Sequence, residues 1–328
     1  MVSTNHSSAL PSLWVITEGL TGTENQCLGV AEALGIVPEV KRIGLNQPWK
    51  TLSPYIGFET ETSFTGDTLQ LPWPDILIAS GRKSIAAARY IKRMSGGKTY
   101  TVQIQDPRLR RSEFDLVVVP EHDPGRGANV LVTAGAPNRI TGEKLATARE
   151  RFAPLFQHLP SPRIAVLIGG STNTHQLNAE KMREISTQLK NLADQGKSLM
   201  ITTSRRTGEE SSQILRQALK DSSAYIWDGP GPQASENPYF GLLAWADAII
   251  VTSDSMSMVS EAATTGKPVH VVSLGAGKKR HEIMMNNFIR HGYVRPFSGI
   301  IEFWQYDALH DAAKVAAEIR RKSGYFAN

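Results

Sequence analysis

The sequence from 247 to 268 reads Asp247-Ala-Ile-Ile-Val-Thr-Ser-Asp254-Ser-Met-Ser-Met-Val-Ser-Glu261-Ala-Ala-Thr-Thr-Gly-Lys-Pro268. The apolar run from Ala248 to Val251 predicts a buried strand, and the polar residues after it are typical of a helix start. The helix is expected from Met256 to Thr265, because Gly266 and Pro268 stop it. A strand that leads into a helix start directs backbone N–H groups beyond its end, where phosphate commonly binds.

The helix in this stretch also carries a carboxylate. Glu261 lies seven residues after Asp254, hence about two turns further on the same face, roughly 10 Å along the axis. A diphosphate at the helix start with ribose hydroxyls held by Glu261 would match this spacing. The alternative is an ordinary capped surface helix whose glutamate is solvated.

Length and charge predict a globular protein of two domains. The 328 residues exceed the usual size of a single hydrophobic core. The net charge of +5 is modest, which favours an anion-lined cleft or weak attraction to an acidic membrane surface over nucleic-acid binding. The basic residues are dispersed in small groups, which are Arg82-Lys83, Arg108 with Arg110 and Arg111, Arg205-Arg206, and Lys278-Lys279-Arg280.

The sequence is that expected of a cytoplasmic protein, or of one that contacts a membrane peripherally. Cys27 is the only cysteine, so an internal disulfide and a cysteine-based metal cluster are excluded and a reducing compartment is favoured. No apolar run is long enough to span a bilayer. Residues 1–11 lack the charged-then-apolar order of a signal peptide.

Short apolar runs alternate with helical patterns along the whole chain. This alternation predicts βαβ units, and hence parallel sheets covered by helices on both faces. Prolines at 154, 160 and 162 indicate a domain boundary near residue 157. Two such domains would enclose a cleft at the carboxyl ends of their strands, where ligands bind in open α/β sheets. The first helix is expected from Glu24 to Leu34, and the last helix from Tyr306 to Lys322.

Polar and glycine residues follow four of the predicted strands. Glycine lets backbone approach a ligand closely, and arginine can bind phosphate in a bidentate manner. Tight turns, a solvated arginine loop and a helix cap at Thr23 are the alternatives. The second half contributes Gly169, Gly170, Ser171, Ser204, Arg205 and Arg206, and the first half contributes Gly22, Asn25, Gln26, Ser80, Gly81 and Arg82.

A series of ordered motifs resembles the mitochondrial-fission ELM family, which has bacterial members and a plant branch. The resemblance extends from about residue 13 to residue 300. The motifs are Glu24-Asn-Gln-Cys-Leu-Gly29, Ile78-Ala-Ser-Gly-Arg82, Val102-Gln-Ile-Gln-Asp-Pro-Arg108, Phe114-Asp-Leu116, Tyr225-Ile-Trp-Asp-Gly229, Leu243-Ala-Trp-Ala-Asp247, Thr252-Ser-Asp-Ser-Met-Ser257, Ser260-Glu-Ala262, Gly266-Lys-Pro-Val269 and Val294-Arg-Pro-Phe297.

The resemblance implies an α/β fold of the GT-B type, in which two Rossmann-like domains face each other across a cleft. The N-terminal domain would span residues 1–157 on the acceptor side, and the C-terminal helix, within 304–328, would return to it. Residues 158–303 would form the nucleotide-binding domain. The plant branch is associated with recruiting a dynamin-type fission GTPase to mitochondria, so a eukaryotic member would act at the mitochondrial outer surface. The bacterial branch is loosely described as a nucleotide-sugar enzyme.

The first loop departs from the family pattern. Bacterial relatives commonly read Asp-Gly-x-x-Gly-His-x-Asn-Gln, whereas this chain has Glu18-Gly-Leu-Thr-Gly-Thr23-Glu-Asn-Gln26. Thr23 therefore stands where the family has histidine, and an imidazole base is not available at that position. Glu18 or Glu24 is the candidate general base, provided that its pKa and its reach to the acceptor hydroxyl are suitable.

These observations predict a glycosyltransferase-like protein that binds a nucleotide-diphosphate sugar, with UDP preferred over ADP, and needs no metal or other cofactor. An Asp-x-Asp pair at a strand end is absent, and His122-Asp123 is expected to form a turn. Glu261 would hold the ribose, and Gln105 would join the polar residues of the acceptor side. The diphosphate would contact Arg205 or Arg206 and the helix start formed by Ser253, Asp254, Ser255, Met256 and Ser257.

Two alternatives stay open because one fold supports many functions. A nucleotide-sugar epimerase would use the same cleft. A non-catalytic adaptor would use the fold as a scaffold for a fission partner such as the dynamin-type GTPase. The donor sugar and the acceptor are not specified by the sequence.

Overall fold

The computed structural model describes residues 10–229, 236–275, 277 and 279–326. Lys278, from one predicted basic group, and the first nine residues lie outside this range. The chain divides into two compact units: a first unit of Met1–Arg139 with His310–Asn328, and a second unit of Ile140–Leu309. The division precedes the predicted boundary at 157 because the helix at Gly142–Arg151 packs against the helix at Tyr239–Trp245.

The first unit is a Rossmann-like sheet with one antiparallel edge strand. The sheet order is β3-β2-β1-β4-β5-β6-β7, and β3 pairs with β2 in the antiparallel direction. Its elements before residue 140 are β1 (Leu13–Thr17), α1 (Thr21–Ala33), β2 (Glu39–Leu45), α2 (Trp49–Leu52), β3 (Phe64–Gly66), β4 (Ile76–Ser80), α3 (Ser84–Met94), β5 (Tyr100–Ile104), β6 (Leu116–Pro120) and β7 (Val130–Thr133), with short 3-10 turns at Glu61–Ser63 and Arg111–Glu113.

The second unit is built on a fully parallel sheet. Its order is β10-β9-β8-β11-β12-β13, and every pairing is parallel. The elements are α4 (Gly142–Arg151), α5 (Ala153–Phe156), β8 (Arg163–Ile168), α6 (Ala179–Asp194), β9 (Ser198–Thr203), α7 (Glu209–Leu219), β10 (Tyr225–Trp227), α8 (Tyr239–Trp245), β11 (Ala248–Thr252), α9 (Met256–Thr264), β12 (Val269–Val272), α10 (Lys279–Arg290) and β13 (Val294–Pro296).

The last helix, α11 (Asp311–Ser323), belongs to the first unit and packs against α1. Asp311 accepts hydrogen bonds from the backbone N–H groups of Ala134 (3.0 Å) and Gly135 (2.8 Å). Burial raises the pKa of Asp311, and these two hydrogen bonds oppose the rise. The return of the C-terminal helix to the first sheet, which the family resemblance implied, is therefore confirmed.

Alternating strand residues supply the two hydrophobic layers of the first unit, as expected for strands whose side chains point to opposite faces. In β1, Leu13 and Val15 join a core with α1 and α11, whereas Trp14 and Ile16 join the core beneath α3. Central strands covered on both faces read as continuous apolar runs, and this is the pattern from which the parallel sheets were predicted.

Two predicted helix starts were wrong. α1 begins at Thr21 and not at Glu24, and the Thr23 hydroxyl donates to the Leu20 carbonyl (2.9 Å) within the first turn, so Thr23 is not a cap. α11 begins at Asp311 and not at Tyr306, because the Tyr306 hydroxyl donates to the Lys267 carbonyl (2.7 Å) and holds that segment in the second unit.

Within the described residues, no helix is both long enough and apolar enough to cross a membrane.

Candidate functional site

The strand order of the second sheet reverses between β8 and β11. Chain connections leave in opposite directions from these two neighbours, and the carboxyl ends of strands at such a point form the usual ligand crevice of open α/β sheets. Gly169 follows β8, and its N–H donates to the Thr252 hydroxyl at the end of β11 (2.8 Å). The loops after the two strands are therefore joined at this edge.

Asp254 connects these loops through its side chain. Its side chain has 0% exposure. The carboxylate accepts hydrogen bonds from the Thr252 hydroxyl (2.7 Å) and the Gly170 N–H (3.1 Å), and it forms an ion pair with Arg206 (2.7 Å). The sequence predicted Asp254 as a residue that binds the nucleotide, whereas the structure gives this carboxylate three contacts within the protein.

The two glycines after β8 are explained by the same packing. A Cβ atom at Gly169 would lie 2.2 Å from both carboxylate oxygens of Asp254, and one at Gly170 would lie 2.0 Å from the Arg206 carbonyl oxygen. Neither distance is sterically allowed. Protein atoms already fill the space that a side chain at either position would need. The presence of glycine at 169 and 170 is therefore explained without the predicted close approach to a ligand. Ser171 closes the following loop by accepting the Leu177 N–H (3.1 Å).

The start of α9 has the geometry that the sequence predicted. Ser255 is the N-cap, and its hydroxyl accepts the Met258 N–H (3.3 Å). Met256 and Ser257 occupy the first turn, where backbone N–H groups have no acceptor within the helix. Ser253, one residue before Asp254 in the same loop, accepts the Leu274 N–H with its hydroxyl (3.1 Å), which ties this edge to the end of β12.

The two predicted arginines in the loop after β9 have different environments. Arg206 keeps 49% of its side chain exposed while one guanidinium nitrogen contacts Asp254. Arg205 is exposed. The Ser204 hydroxyl accepts the Arg206 N–H (3.2 Å), and Thr207 donates its hydroxyl to the Gly169 carbonyl (2.5 Å). Arg206 is consequently fixed against the glycine loop, with guanidinium N–H groups remaining for an anion.

Glu261 has a partner that the sequence did not reveal. The Tyr239 hydroxyl, at the start of α8, donates to the Glu261 carboxylate (2.5 Å). Burial raises the pKa of Glu261 to about 7, although the hydrogen bond from Tyr239 opposes the rise. Burial and the neighbouring carboxylate also raise the pKa of Tyr239 well above its ordinary value. Glu261 is therefore a carboxyl group that titrates near neutral pH.

In the first unit, three predicted acceptor-side residues come together. The Gln26 side-chain oxygen accepts from the Ser80 hydroxyl (3.4 Å) and from the Gln105 amide (3.4 Å). Gln105 has a φ of +74°, in the left-handed region. The other predicted residues lie elsewhere on the same unit: Gly22 is exposed in the first turn of α1, Asn25 is partly buried there, and Arg82 donates to the Lys50 carbonyl (3.2 Å).

Both candidate bases hold ion pairs. Glu18 follows β1 where the first sheet reverses its order, accepts the Lys83 N–H (2.9 Å) before α3 and pairs with the Lys83 ammonium (3.0 Å). Gly81 makes room for it, because a Cβ atom there would lie 3.1 Å from the carboxylate. Glu24 binds Arg42 in a bidentate manner, at 3.0 and 2.7 Å.

Comparison with known proteins identifies the family. Residues 21–323 match the family model described as Mitochondrial fission ELM1. The chain belongs to this family. It is similar to the Mitochondrial fission protein ELM1 of Arabidopsis thaliana, with 29% identity over 94% of this chain and 90% of that protein. The predicted resemblance is confirmed.

Solved structures with the same fold include two UDP-GlcNAc 2-epimerases. The enzyme from Methanocaldococcus jannaschii is 13% identical with a TM-score of 0.55, covering 94% of this ELM1-family chain and 98% of that chain. The enzyme from Neisseria meningitidis, solved with UDP-GlcNAc bound, is 15% identical with a TM-score of 0.51, covering 95% and 99%. At these identities the likeness shows the fold alone, and it confirms the predicted GT-B-like class.

In this ELM1-family chain, the second sheet offers a braced loop edge, a capped helix start and a carboxyl group of raised pKa. Among the described residues, no group of three or more His, Cys, Asp or Glu side chains is arranged to hold a metal ion. The chemistry that the edge can perform is the electrostatic stabilisation of an anion, by helix amides and Arg206.

Proposed function

We propose that this chain binds a nucleotide-diphosphate sugar, with UDP preferred over ADP, at the carboxyl edge of its second sheet and transfers the sugar without a metal ion. The observation that carries the proposal is the Ser255-capped start of α9 beside the half-exposed guanidinium of Arg206, at the reversal point of the sheet. Such a helix start and an arginine together suit a diphosphate.

The charges of this edge support an anionic ligand. Arg206 and Asp254 neutralise each other, so the buried carboxylate does not repel a phosphate as an unpaired charge would. The first-turn amides of α9 and the remaining guanidinium N–H groups are left to attract the diphosphate. When the bond from the sugar to the diphosphate breaks, the same groups would stabilise the negative charge on the departing diphosphate.

Glu261 is placed to hold the ribose. It lies five residues beyond Met256 on α9, hence roughly 8 Å along the axis from the helix start. A carboxylate accepts hydrogen bonds from two vicinal hydroxyls, and the Tyr239 hydroxyl fixes its orientation. The structural similarity to two UDP-GlcNAc 2-epimerases supports the preference for UDP.

The transfer needs a base for the acceptor hydroxyl, and we propose Glu18 over Glu24. Arg42 occupies both oxygens of Glu24 through a guanidinium that stays charged. Lys83 also contacts both oxygens of Glu18, one through its backbone N–H and the other through its ammonium, but Glu18 lies at the reversal point of the first sheet, next to Gly81. Replacing the base is expected to lower donor consumption at least about a hundredfold with little change in nucleotide affinity.

Calorimetry with UDP and ADP tests donor binding. UDP is expected to bind the wild-type protein, and Glu261→Ala is expected to weaken UDP binding at least about tenfold, because hydrogen bonds to a charged group contribute about 1.5–3 kcal/mol each. Glu210→Ala, which removes an exposed glutamate of α7, is the control. Equal affinities in wild type and Glu261→Ala would remove Glu261 from the site, and failure of every nucleotide to bind would refute the proposal.

A second function is favoured by a specific observation. Both predicted bases hold ion pairs, and Thr23 replaces the histidine of the family pattern. A non-catalytic adaptor of membrane fission, with a dynamin-type GTPase as partner, needs no base. A wild-type protein that consumes no UDP-sugar with lipid or glycan acceptors but binds such a GTPase tightly would establish the adaptor in place of the transferase.

A further inference from the structure

A pocket lies beside the proposed diphosphate edge. Its volume is about 410 Å³, and it lies where β11, β12 and β13 end beneath α10. Ser253 lines it from the loop that also contains Asp254 and the cap of α9. The pocket and the helix start therefore share a loop within the second unit.

Two histidines form one wall of the pocket. His175 is 3% exposed, and its ring meets the ring of His281 at a centroid distance of 5.0 Å and an angle of 75°. The Nδ1 atom of His175 lies 3.3 Å from the Thr174 hydroxyl. Gly277 packs against this ring, because a Cβ atom there would lie 2.7 Å from the Nε2 atom of His175. The imidazole pair is therefore held by packing within the second unit.

Two polar and two apolar side chains of α10 also line the pocket. Glu282, Met285, Asn286 and Ile289 come from successive turns of α10. A lining that combines hydrogen-bonding groups with apolar carbons suits a ring that carries hydroxyls at its edge and C–H bonds on its face. A pyranose sugar has this chemistry.

The tyrosine that holds Glu261 and the pocket lie next to different strands of the second sheet. Tyr239, the partner of Glu261, begins α8, and α8 packs against β8 and β9. The pocket is formed instead by the ends of β12 and β13 and by α10. A ligand with its ribose at Glu261 and its diphosphate at Ser255 would therefore extend its distal group towards Ser253 and the histidines.

We propose that this pocket, between the His175–His281 pair and Asn286, binds the sugar of the nucleotide-sugar ligand and selects among sugars. The inference rests on the proposed function, since it assumes that the diphosphate lies at the start of α9. His281 and Asn286 would hydrogen-bond the sugar hydroxyls, while Met285 and Ile289 would contact its apolar face.

The test compares two neighbouring asparagines of α10. Asn286 lines the pocket, whereas Asn287 does not and accepts a hydrogen bond from Arg290 (3.3 Å). Calorimetry would measure UDP, UDP-glucose and UDP-GlcNAc with wild type, Asn286→Ala, His281→Ala and Asn287→Ala. Asn286→Ala and His281→Ala are expected to weaken the binding of at least one UDP-sugar about tenfold while the affinity for UDP stays unchanged. Asn287→Ala is expected to change none of the affinities.

The outcomes separate the two proposals. If UDP binds the wild type and both pocket variants bind every UDP-sugar as the wild type does, the sugar pocket is refuted and the diphosphate site stands. The same conclusion follows if the variants weaken UDP as much as the UDP-sugars. If the wild type binds none of the three compounds, both proposals are refuted. Thermal unfolding of each variant shows whether it is folded.

Discussion

Replacing Glu261 by glutamine is expected to change how stability depends on pH. Burial raises the pKa of Glu261 from the ordinary 4.5 to about 7 in the folded protein. A group whose pKa is higher in the folded state stabilises that state in its protonated form. Its contribution is complete below pH 4.5 and is lost as pH rises through about 7. The neutral amide of Glu261→Gln cannot titrate, so the variant lacks this dependence.

The magnitude follows from the two pKa values. At about 1.4 kcal/mol per pH unit, the difference corresponds to on the order of 3 kcal/mol of unfolding free energy between pH 4 and pH 8. This is an upper value, because the side chain is partly exposed and water screens its charge.

Urea unfolding from pH 4 to pH 8 measures the effect. The wild type should lose stability relative to Glu261→Gln as pH rises, with the steepest change between about pH 5 and pH 7.5. Glu210→Gln, which alters an exposed glutamate, should follow the wild type. Parallel profiles for wild type and Glu261→Gln would refute the assignment of a neutral-range pKa to Glu261.

Three further predictions concern the same edge. Arg206→Ala should weaken UDP binding by about 2 kcal/mol, and it should also destabilise the protein by about 1 kcal/mol because it leaves Asp254 without its ion pair. Arg205→Ala should change neither quantity. Equal UDP affinities of the wild type and Arg206→Ala in calorimetry would contradict this prediction. Gly170→Ala should cost about 1–3 kcal/mol in urea unfolding, whereas Gly142→Ala, where a Cβ atom meets nothing, should cost nothing. UDP binding should survive EDTA, and restoration of lost binding by Mg²⁺ or Mn²⁺ would show that a metal is required.

The fold could be predicted because its signals are local. The apolar run Ala248–Val251, the polar cap and the stop at Gly266 lie within one segment, and β11 and α9 have nearly the predicted bounds. Helix starts without such a signal were misplaced. α1 begins after Leu20, which has no side chain suited to a cap, so the sequence offered no mark for its first residue.

The contacts that define the candidate site could not be predicted, because they join residues far apart in the chain. Tyr239 meets Glu261, and His175 meets His281. A lone tyrosine at a helix start and two separate histidines have many ordinary explanations. Only the packing of α8 against β8 and β9, and of α10 over the ends of β12 and β13, brings each pair together.

Asp254 and the glycine pair have contacts with each other that the sequence did not reveal. The sequence places an acidic residue and a glycine pair at neighbouring strand ends, and each was predicted to face the ligand. In the structure they face each other, since the Asp254 carboxylate occupies the space that a side chain at Gly169 would need. The Asp254 carboxylate therefore explains the glycine at 169, and it is itself held by Arg206 and by the Gly170 N–H. The same sequence pattern can therefore arise from residues that support an anion site and from residues that contact the anion. The groups left to contact a diphosphate are those that this packing does not consume, namely the first-turn amides of α9 and the remaining N–H groups of Arg206.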